Sequence, residues 1–398
     1  MQSQRQIFFD HLAPTSSSPI ALEIVKANGI YLYDASGRIY IDLISGISVS
    51  SIGHLHPKVI EAIKKQTDQY LHLMVYGEFI QTPQVQFAEL LAKHLPEKLS
   101  SVFFVNSGSE ATEGAMKLAK RFTGRTEIIS FVNGYHGSTQ GALSAGGNEE
   151  FKNSFRPLLP DCKILPFNSE SDLDQITERT ACVLVEPIQG EAGIILPSDN
   201  FLTSLRSRCD ETGTLLIFDE IQTAFGRTGK LFAFQHYNVT PDVLLLGKAL
   251  GGGMPLGAFI SSKEIMNSLT NNPVLGHITT FGGHPVCCAA GLAAFEVLLN
   301  EKLMVDVPLK EDLFRKNLQH PLIKNIRGKG LFLALEFEGE ELNRKIINTC
   351  IEKGVVVDWF LFAADCLRIA PPLIISKTQI ETACKLILKS INQINDNL

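Results

Sequence analysis

The stretch that decides the fold is Val243-Leu244-Leu245-Leu246-Gly247-Lys248, which Ala-Leu-Gly-Gly-Gly follows directly. A short aliphatic run bounded by glycines is typical of a buried strand in a parallel sheet. Lysine is almost never fully buried without a partner, so an amine at the mouth of such a strand requires an explanation. Earlier in the chain the same construction occurs with the opposite charge, where the run Thr214–Phe218 ends in Asp219.

Lys248 and Asp219 are expected to face one cleft, because ligands of open α/β sheets bind outside the carboxyl ends of the strands. Each residue alone has an ordinary explanation: the lysine would point into water, and the acid would cap a helix or lie on the surface. Together, an amine and a carboxylate at this place indicate pyridoxal 5′-phosphate. That cofactor forms a Schiff base with a lysine, and its pyridinium nitrogen pairs with an acid.

Composition narrows the classes of function. The chain has 398 residues, of which 45% are hydrophobic and 20% charged, an ordinary globular balance that suggests two or three domains. A net charge of −6 gives no electrostatic reason to bind nucleic acid. No apolar run approaches the ~18 residues of a membrane span, and the amino terminus lacks a secretory h-region. We therefore predict a protein with no nucleic-acid or membrane partner.

The eight cysteines form no Cys-x-x-Cys pair and no His/Cys cluster at zinc spacing. Most have aliphatic neighbours and are expected to be buried free thiols, which favours a cytoplasmic location and gives no metal site.

Strand and helix patterns alternate along most of the chain, which is the βαβ signature of an α/β fold. Val102–Val105, Glu127–Val132, Ala181–Val185 and Leu256–Ile260 are predicted as further core strands. An early hairpin is expected over residues 30–43. After about residue 288 the pattern changes to α+β and closes with a helix over Lys377–Ile394.

A Gly/Ser turn after the strand at Val102–Val105 opens a predicted helix. Its residues Ser107, Gly108 and Ser109 offer free amides and hydroxyls at a positive helix end, which suits a phosphate group. An ordinary N-cap by Ser109 explains the stretch equally well. Neither a Walker A sequence nor a Gly-x-Gly-x-x-Gly fingerprint is present.

Other strand ends carry residues that alone have ordinary explanations. Tyr135 and His136 follow one strand, where an aromatic ring could stack on a planar cofactor or simply cover the core. Glu186 and Glu191 lie in VEPIQGEAG after another strand and could equally be solvated charges.

Order and spacing are more specific than any single motif. The motifs SGSEA, GYHG, EPIQGEAG, FDEIQTAFGRTG, LGKALGGGMPLG and TFGGHP occur in that order. Over roughly residues 20–395 the chain resembles class III (ornithine/acetylornithine/4-aminobutyrate-type) pyridoxal-phosphate aminotransferases. The resemblance implies fold type I: a large domain with a mostly parallel seven-stranded sheet, a smaller α+β domain, and a homodimer with shared active sites. We expect an N-terminal segment at 1–50 belonging to the small domain, a large cofactor-binding domain at 51–288, and a C-terminal small domain at 289–398.

The resemblance also implies roles for single residues. Lys248 would be the Schiff-base lysine and Asp219 the partner of the pyridine nitrogen, with Gln222 near the cofactor's O3′ side. Tyr135 would stack on the ring, and Thr280 would reach the phosphate from the neighbouring subunit. The further cofactor-binding residues would be Ser107, Gly108, Ser109, His136 and Glu186.

Substrate contacts follow from the same resemblance. Arg368 resembles the arginine that binds an α-carboxylate, and Glu191 resembles the acid that covers it when an ω-amine donor is bound. Ser138 departs from the pattern, because ornithine- and acetylornithine-type members commonly carry arginine there for the distal carboxylate of glutamate. Serine cannot form a bidentate charged pair with a carboxylate.

The activity expected from this resemblance is transfer of an amino group from an amine to a keto acid. The donor would carry a terminal amine, as acetylornithine or ornithine does, and the acceptor would be a keto acid such as 2-oxoglutarate. Another ω-amine transaminase, acting on 4-aminobutyrate or a diamine, and an aminomutase on the same fold are alternatives. A non-catalytic binding protein that has kept the fold is a remote one.

Overall fold

The computed structural model describes residues 3–396. The strands within them are β1 (Ile24–Asn28), β2 (Tyr31–Asp34), β3 (Ile39–Asp42), β4 (Ser101–Val105), β5 (Glu127–Phe131), β6 (Cys162–Leu165), β7 (Thr180–Val185), β8 (Leu215–Asp219), β9 (Val243–Leu246), β10 (Gly257–Ser261), β11 (Asn325–Gly328), β12 (Leu333–Glu336), β13 (Val355–Val356), β14 (Asp358–Phe360) and β15 (Ala363–Ile369).

The helices of the same residues are α1 (Gln4–His11), α2 (Ser45–Ser48), α3 (Pro57–Thr67), α4 (Thr82–Lys93), α5 (Gly108–Thr123), α6 (Gln140–Ser144), α7 (Phe201–Thr212), α8 (Lys263–Asn267), α9 (Pro285–Asn300), α10 (Val307–Asn317), α11 (Glu340–Glu352) and α12 (Lys377–Asn395). Short 3-10 helices include Lys248–Gly251, which follows β9 directly.

A seven-stranded sheet with the order β4-β10-β9-β8-β7-β5-β6 forms the centre of the molecule. Strands β5 to β9 run parallel, whereas β10 is antiparallel to both β4 and β9. The three strands β7, β8 and β9 are buried along their whole length. The α/β class with a mostly parallel seven-stranded sheet is thereby confirmed. Because β8 and β9 are parallel neighbours, their carboxyl ends meet at one edge of the sheet.

Two four-stranded sheets lie outside this layer, with the orders β1-β2-β3-β13 and β11-β12-β15-β14. The predicted hairpin at 30–43 is confirmed as the antiparallel pair β2–β3. Strand β3 also pairs in parallel with β13, so the N-terminal region joins a strand from residues 355–356. The division at residues 50 and 288 stays a proposal, and α9 runs across the second of those boundaries.

The edge strand β6 of the large sheet and the helices α6, α7 and α8 around it were not predicted from the sequence. The strand β6 reads CKIL, and its first three residues are only half-buried, so it lacks the apolar run that marks the central strands. Among residues 3–396, no helix is long and apolar enough to cross a membrane.

Candidate active site

Lys248 begins the turn that follows β9, with a backbone φ of +46° in the left-handed region. Residues other than glycine rarely adopt that conformation, and such strained residues cluster at functional sites. The side chain lies in a cleft where burial lowers the pKa of its amine to about 8, despite the opposing effect of nearby Glu191. A larger fraction of the amine is therefore neutral and nucleophilic near neutral pH than for an ordinary lysine.

Asp219 ends β8, where it pairs with Leu245 of β9, and only 4% of it is exposed. One of its oxygens, Oδ2, lies 2.8 Å from Nδ1 of His136, which is also buried. The other oxygen accepts a hydrogen bond of 3.0 Å from the backbone amide of Ile221. Two partners hold this carboxyl group in place, as a buried polar group requires.

The helix α5 starts two residues earlier than an N-cap at Ser109 requires. Ser107 is the N-cap, and its Oγ accepts a 3.2 Å hydrogen bond from the amide of Glu110. Ser109 therefore belongs to the first helical turn, and the capping explanation given for it above is wrong. A Cβ added to Gly137 would collide with the hydroxyl of Ser109. The start of α5 and the turn at Gly137 therefore approach as closely as glycine allows.

Glu186 connects the turn that carries Tyr135 to the loop after β7. One of its oxygens accepts a hydrogen bond of 3.0 Å from the Tyr135 amide, and the other accepts one of 2.8 Å from the Gly190 amide. Burial raises the pKa of Glu186 to about 7, against the lowering effect of His136. The phenol of Tyr135 lies 3.1 Å from the hydroxyl of Ser138, which is exposed.

A single cavity of about 190 Å³ collects most of the residues predicted to bind the cofactor. It is lined by Ser107, Gly108, Ser109, Tyr135, His136, Gly137, Glu186, Asp219, Ile221, Gln222 and Lys248. Thr280 lies outside it and is exposed, with its carbonyl accepting a 2.7 Å hydrogen bond from His72. Within one subunit, therefore, the structure does not bring Thr280 to the other predicted residues.

Arg368 and Glu191 form a bidentate pair beside this cavity, with nitrogen–oxygen distances of 3.0 and 2.9 Å. Burial opposes the charge of Glu191, but the Arg368 guanidinium outweighs it and lowers the pKa of Glu191 to about 2. Gln222 connects the pair to the cavity by donating a 2.8 Å hydrogen bond to Glu191. Such fork-to-fork pairs are among the strongest charged contacts in proteins.

Sequence reasoning missed a second carboxylate on the same arginine. Asp358 Oδ1 lies 3.1 Å from Nε of Arg368, and burial raises the pKa of Asp358 to about 6. The ring of Phe360 lies 4.4 Å from the guanidinium carbon. Asp358 starts the short strand β14, which pairs with β15 so that Asp358 and Arg368 are directly opposite. Only the pairing register of β14 and β15, which the structure shows, reveals this contact.

Comparison with known proteins decides the family. The sequence profile "Aminotransferase class-III" matches residues 12–391. The chain belongs to the class III aminotransferases. It is 40% identical to the acetylornithine aminotransferase of Methanopyrus kandleri over 94% of each chain. It is 39% identical to the enzyme of that name from Methanocaldococcus jannaschii, over 93% of each chain.

Solved structures agree with this class III assignment. The ornithine aminotransferase of Toxoplasma gondii superimposes with a TM-score of 0.91 at 30% identity, covering 99% of this chain and 95% of that one. A transaminase from the marine bacterium Virgibacillus gives a TM-score of 0.93 at 26% identity over all of both chains. The protein is a pyridoxal-phosphate-dependent transaminase whose substrates are small amines and keto acids.

The chemistry of the cavity fits pyridoxal phosphate. Gln222 Oε1 is buried and has no hydrogen-bond partner among the described residues, as expected of a group that awaits a ligand. The cavity also holds an amine of lowered pKa, an anchored carboxylate, and the amides of a helix start facing Gly137. These are the groups that an aldehyde, a protonated ring nitrogen and a phosphate respectively require.

Proposed function

We propose that this transaminase accepts the amino group from the terminal amine of an acetylornithine- or ornithine-like donor and passes it to a keto acid such as 2-oxoglutarate. The names of the relatives at about 40% identity support this donor. The closed Glu191–Arg368 pair is the observation that carries the proposal. With Arg368 covered by Glu191, its guanidinium is not free to bind an α-carboxylate beside the reacting amine, which favours a donor that reacts through its distal end.

The cofactor would be held by residues at the ends of several strands. The start of α5, at Ser107, Gly108 and Ser109, would bind the phosphate. The face of the ring would contact Tyr135, and Gln222 would lie on its O3′ side. His136 and Glu186 would support the cavity around the acid Asp219, to which His136 is hydrogen-bonded.

Pyridoxal phosphate supplies an aldehyde that condenses with amines and a ring that takes up the electrons of a deprotonated substrate carbon. The chain's own residues would move and hold protons. Lys248 Nζ would take the proton from the substrate carbon and return it as the general acid, a task that its lowered pKa of about 8 suits. Asp219 would hold a proton on the ring nitrogen by charge pairing, which His136 and the Ile221 amide orient.

The Glu191–Arg368 pair would separate the two halves of a ping-pong cycle. When Glu191 covers Arg368, the site takes the terminal amine, and when Glu191 turns away, Arg368 binds the α-carboxylate of the keto acid. A pair of charges at ~4 Å is worth about 4 kcal/mol at an effective dielectric near 20. An incoming carboxylate offers the arginine an equivalent partner, so the free energies of the covered and the substrate-bound arrangements would be similar.

We also propose a homodimer whose active sites are shared. Thr280 is exposed, and its neighbours include a cluster of exposed apolar side chains: Phe281 is 55%, Phe79 51% and Ile80 94% exposed. Phe79, Ile80 and Thr279 line one cavity, so the cluster is continuous. An apolar patch of this kind marks an association surface. Covering it with a second subunit would bring that subunit's Thr280 to the phosphate.

A cytoplasmic location is proposed on the state of the thiols. All eight cysteines are free, and seven of them are buried. Unpaired thiols persist in a reducing compartment.

Two measurements test the function. Borohydride reduction after incubation with pyridoxal phosphate is expected to fix the cofactor mass on the peptide that contains Lys248, and on no peptide of Lys248→Arg. The purified enzyme is then assayed with acetylornithine, ornithine, 4-aminobutyrate and diamines against 2-oxoglutarate and pyruvate. An unlabelled Lys248 peptide would refute the site, and a preference for α-amino acids over every terminal amine would refute the donor.

A further inference from the structure

A second cavity, of about 280 Å³, adjoins the cofactor cleft at Ser138, where the sequence departs from the pattern of ornithine- and acetylornithine-type enzymes. It shares Tyr135 and Gly137 with the cleft, so the two cavities are direct neighbours. Its other lining residues include Ser138, Phe151 and Phe362. A substrate group that points away from the reacting nitrogen therefore has a defined space to enter.

The wall of this cavity is aromatic. The rings of Phe151 and Phe362 meet edge to face with centroids 5.0 Å apart, and Tyr135 lies 6.3 Å from Phe362. Phe155 also lines the cavity, yet 58% of it is exposed. Aromatic rings of this size are usually covered in folded proteins, so exposed ones that converge on a cavity next to a reaction centre indicate a site for an apolar group.

The cavity offers no free cation to a carboxylate. Among the described residues that line it, only Lys152 is charged. Its ammonium is buried and donates to the carbonyls of Ser144 and Gly146 at 3.1 and 3.0 Å, and Glu149 lies 3.5 Å away. Arg156 is nearby in sequence and is paired with Glu149 at 2.5 Å. A carboxylate entering this space would meet the hydroxyl of Ser138 and the amides of Gln140 and Asn148, but it would gain no charged partner among the lining residues.

Phe362 connects the second cavity to the Glu191–Arg368 pair. Its amide donates a 3.0 Å hydrogen bond to the Glu191 carbonyl, and the Leu361 amide donates one of 3.1 Å to the Glu191 carboxylate. The cavity thus adjoins the cofactor cleft through Tyr135 and Gly137, and its Phe362 contacts the loop that carries Glu191. A substrate whose carboxylate lies on Arg368 can extend its side chain past Ser138 into the aromatic pocket.

We propose that the pocket formed by Tyr135, Ser138, Phe151, Phe155 and Phe362 binds the uncharged apolar side chain, branched alkyl or aryl, of the amino-group acceptor. This rests on the proposed transaminase site and changes which keto acid it prefers: those with an apolar side chain are preferred over those that end in a second carboxylate, including the 2-oxoglutarate given above as an example.

The test compares two keto acids of the same shape in the holoenzyme. In 5-methyl-2-oxohexanoate an isopropyl group replaces the distal carboxylate of 2-oxoglutarate. We expect the apolar acid to have the higher kcat/KM, by about tenfold, which corresponds to burying roughly two methylene groups. Unreactive 5-methylhexanoate and glutarate, compared as inhibitors, give the same contrast without the chemical step.

Variants locate the effect. Phe155→Ala is expected to lower kcat/KM for the apolar acid by about tenfold and to change that for 2-oxoglutarate by less than about twofold, because it removes apolar contact only. Ser138→Arg should reverse the preference by supplying a bidentate partner for the distal carboxylate. Phe122→Ala, on the outer end of α5 and 39% exposed, is the matched control and should leave both values unchanged.

Three results would overturn the proposal while leaving the transaminase site intact: a wild-type preference for 2-oxoglutarate, a loss of 2-oxoglutarate activity in Arg156→Ala, or equal effects of Phe155→Ala on both acids. Consumption of neither acid by a protein whose Lys248 takes up the cofactor would also overturn it. Absence of cofactor on Lys248 would instead refute the transaminase site itself.

Discussion

Both terminal nitrogens of Arg368 donate to the carboxylate of Glu191, and each of the two side chains is at most 4% exposed. Arg368 keeps two further partners: the Trp359 carbonyl accepts a hydrogen bond of 2.9 Å, and the Asp358 carboxylate forms an ion pair at 3.1 Å. Glu191, in contrast, lies on an irregular loop. If the pair opens as proposed, the arginine keeps partners that hold it in place, so we expect the glutamate to be the part that moves.

Glu191→Ala is expected to shift the donor preference of the enzyme towards α-amino acids. Removing the carboxylate leaves Arg368 free for an α-carboxylate in both half-reactions, so kcat/KM for α-amino donors should rise at least about tenfold relative to terminal amines. The ratio of the two kcat/KM values is the measurement. Glu336→Ala removes another acid that faces an arginine, Arg327 at 3.4 Å, and serves as the control. An unchanged ratio in Glu191→Ala contradicts the gate.

The neighbours Asp219 and Glu220 should separate chemistry from stability. Asp219→Asn removes the charge opposite the ring nitrogen, and we expect kcat to fall on the order of a hundredfold with the fold retained. Glu220 accepts hydrogen bonds from the amides of Ala233 and Phe234 at 2.6 and 2.7 Å. Glu220→Gln places an amide donor against one of them, which should cost about 1–3 kcal/mol of unfolding free energy. Steady-state kinetics and urea unfolding of both variants are the measurements. A larger loss of kcat in Glu220→Gln, together with a larger loss of unfolding free energy in Asp219→Asn, would contradict these roles.

Lys248→Met should stabilise the cofactor-free protein at neutral pH more than at alkaline pH. The folded amine has a pKa of about 8, mainly because of burial, and the unfolded one about 10.4. Below pH 8 the wild type carries the full cost of charging a buried amine, about 3 kcal/mol, and this cost disappears as pH rises from 8 towards 10.4. Urea unfolding of both cofactor-free proteins at pH 7 and pH 10 measures the gap, which is the difference in unfolding free energy between Lys248→Met and the wild type. A gap that stays constant would show that the Lys248 pKa is not lowered.

Arg227 is expected to hold three parts of the chain together. Its guanidinium is fully buried and donates to the carbonyls of Leu331 and Pro371 at 3.0 and 2.5 Å and to the Ser51 hydroxyl at 3.0 Å. Arg227→Met leaves these buried acceptors unpaired, so the unfolding free energy should fall by about 3 kcal/mol or more. Arg227→Lys keeps the charge but lacks the planar guanidinium. Its unfolding free energy should therefore lie between those of the wild type and Arg227→Met. A methionine variant as stable as the wild type would contradict this role.

The placement of Lys248 and Asp219 could be predicted because local pattern and sheet geometry act together there. A buried apolar run marks each strand, and parallel neighbours end at the same edge, so two distant sequence positions were expected in one cleft. The strand β6 could not be found in this way, since its residues at the sheet edge are only half-buried and carry no continuous apolar run.

Residues that reach the site through long-range packing could not be predicted from the sequence either. Asp358 faces Arg368 only because β14 pairs with β15, and Phe362 reaches Glu191 only because the C-terminal strands pack on that loop. No spacing in the sequence encodes either contact. The N-cap of α5 was misplaced from Ser107 to Ser109 for a different reason: three consecutive turn-forming residues allow several starts, and the tertiary contact with Gly137 selects one.

The pairing of β3 with β13 has a consequence for how the molecule is made. A ribosome delivers residues 39–42 long before residues 355–356, so the first hairpin of the nascent chain emerges without the strand that will complete its sheet. Residues 355–356 must be synthesised before this sheet can be completed, and contacts so distant along the chain form slowly. Folding of this region is therefore expected to finish only after that strand has left the ribosome.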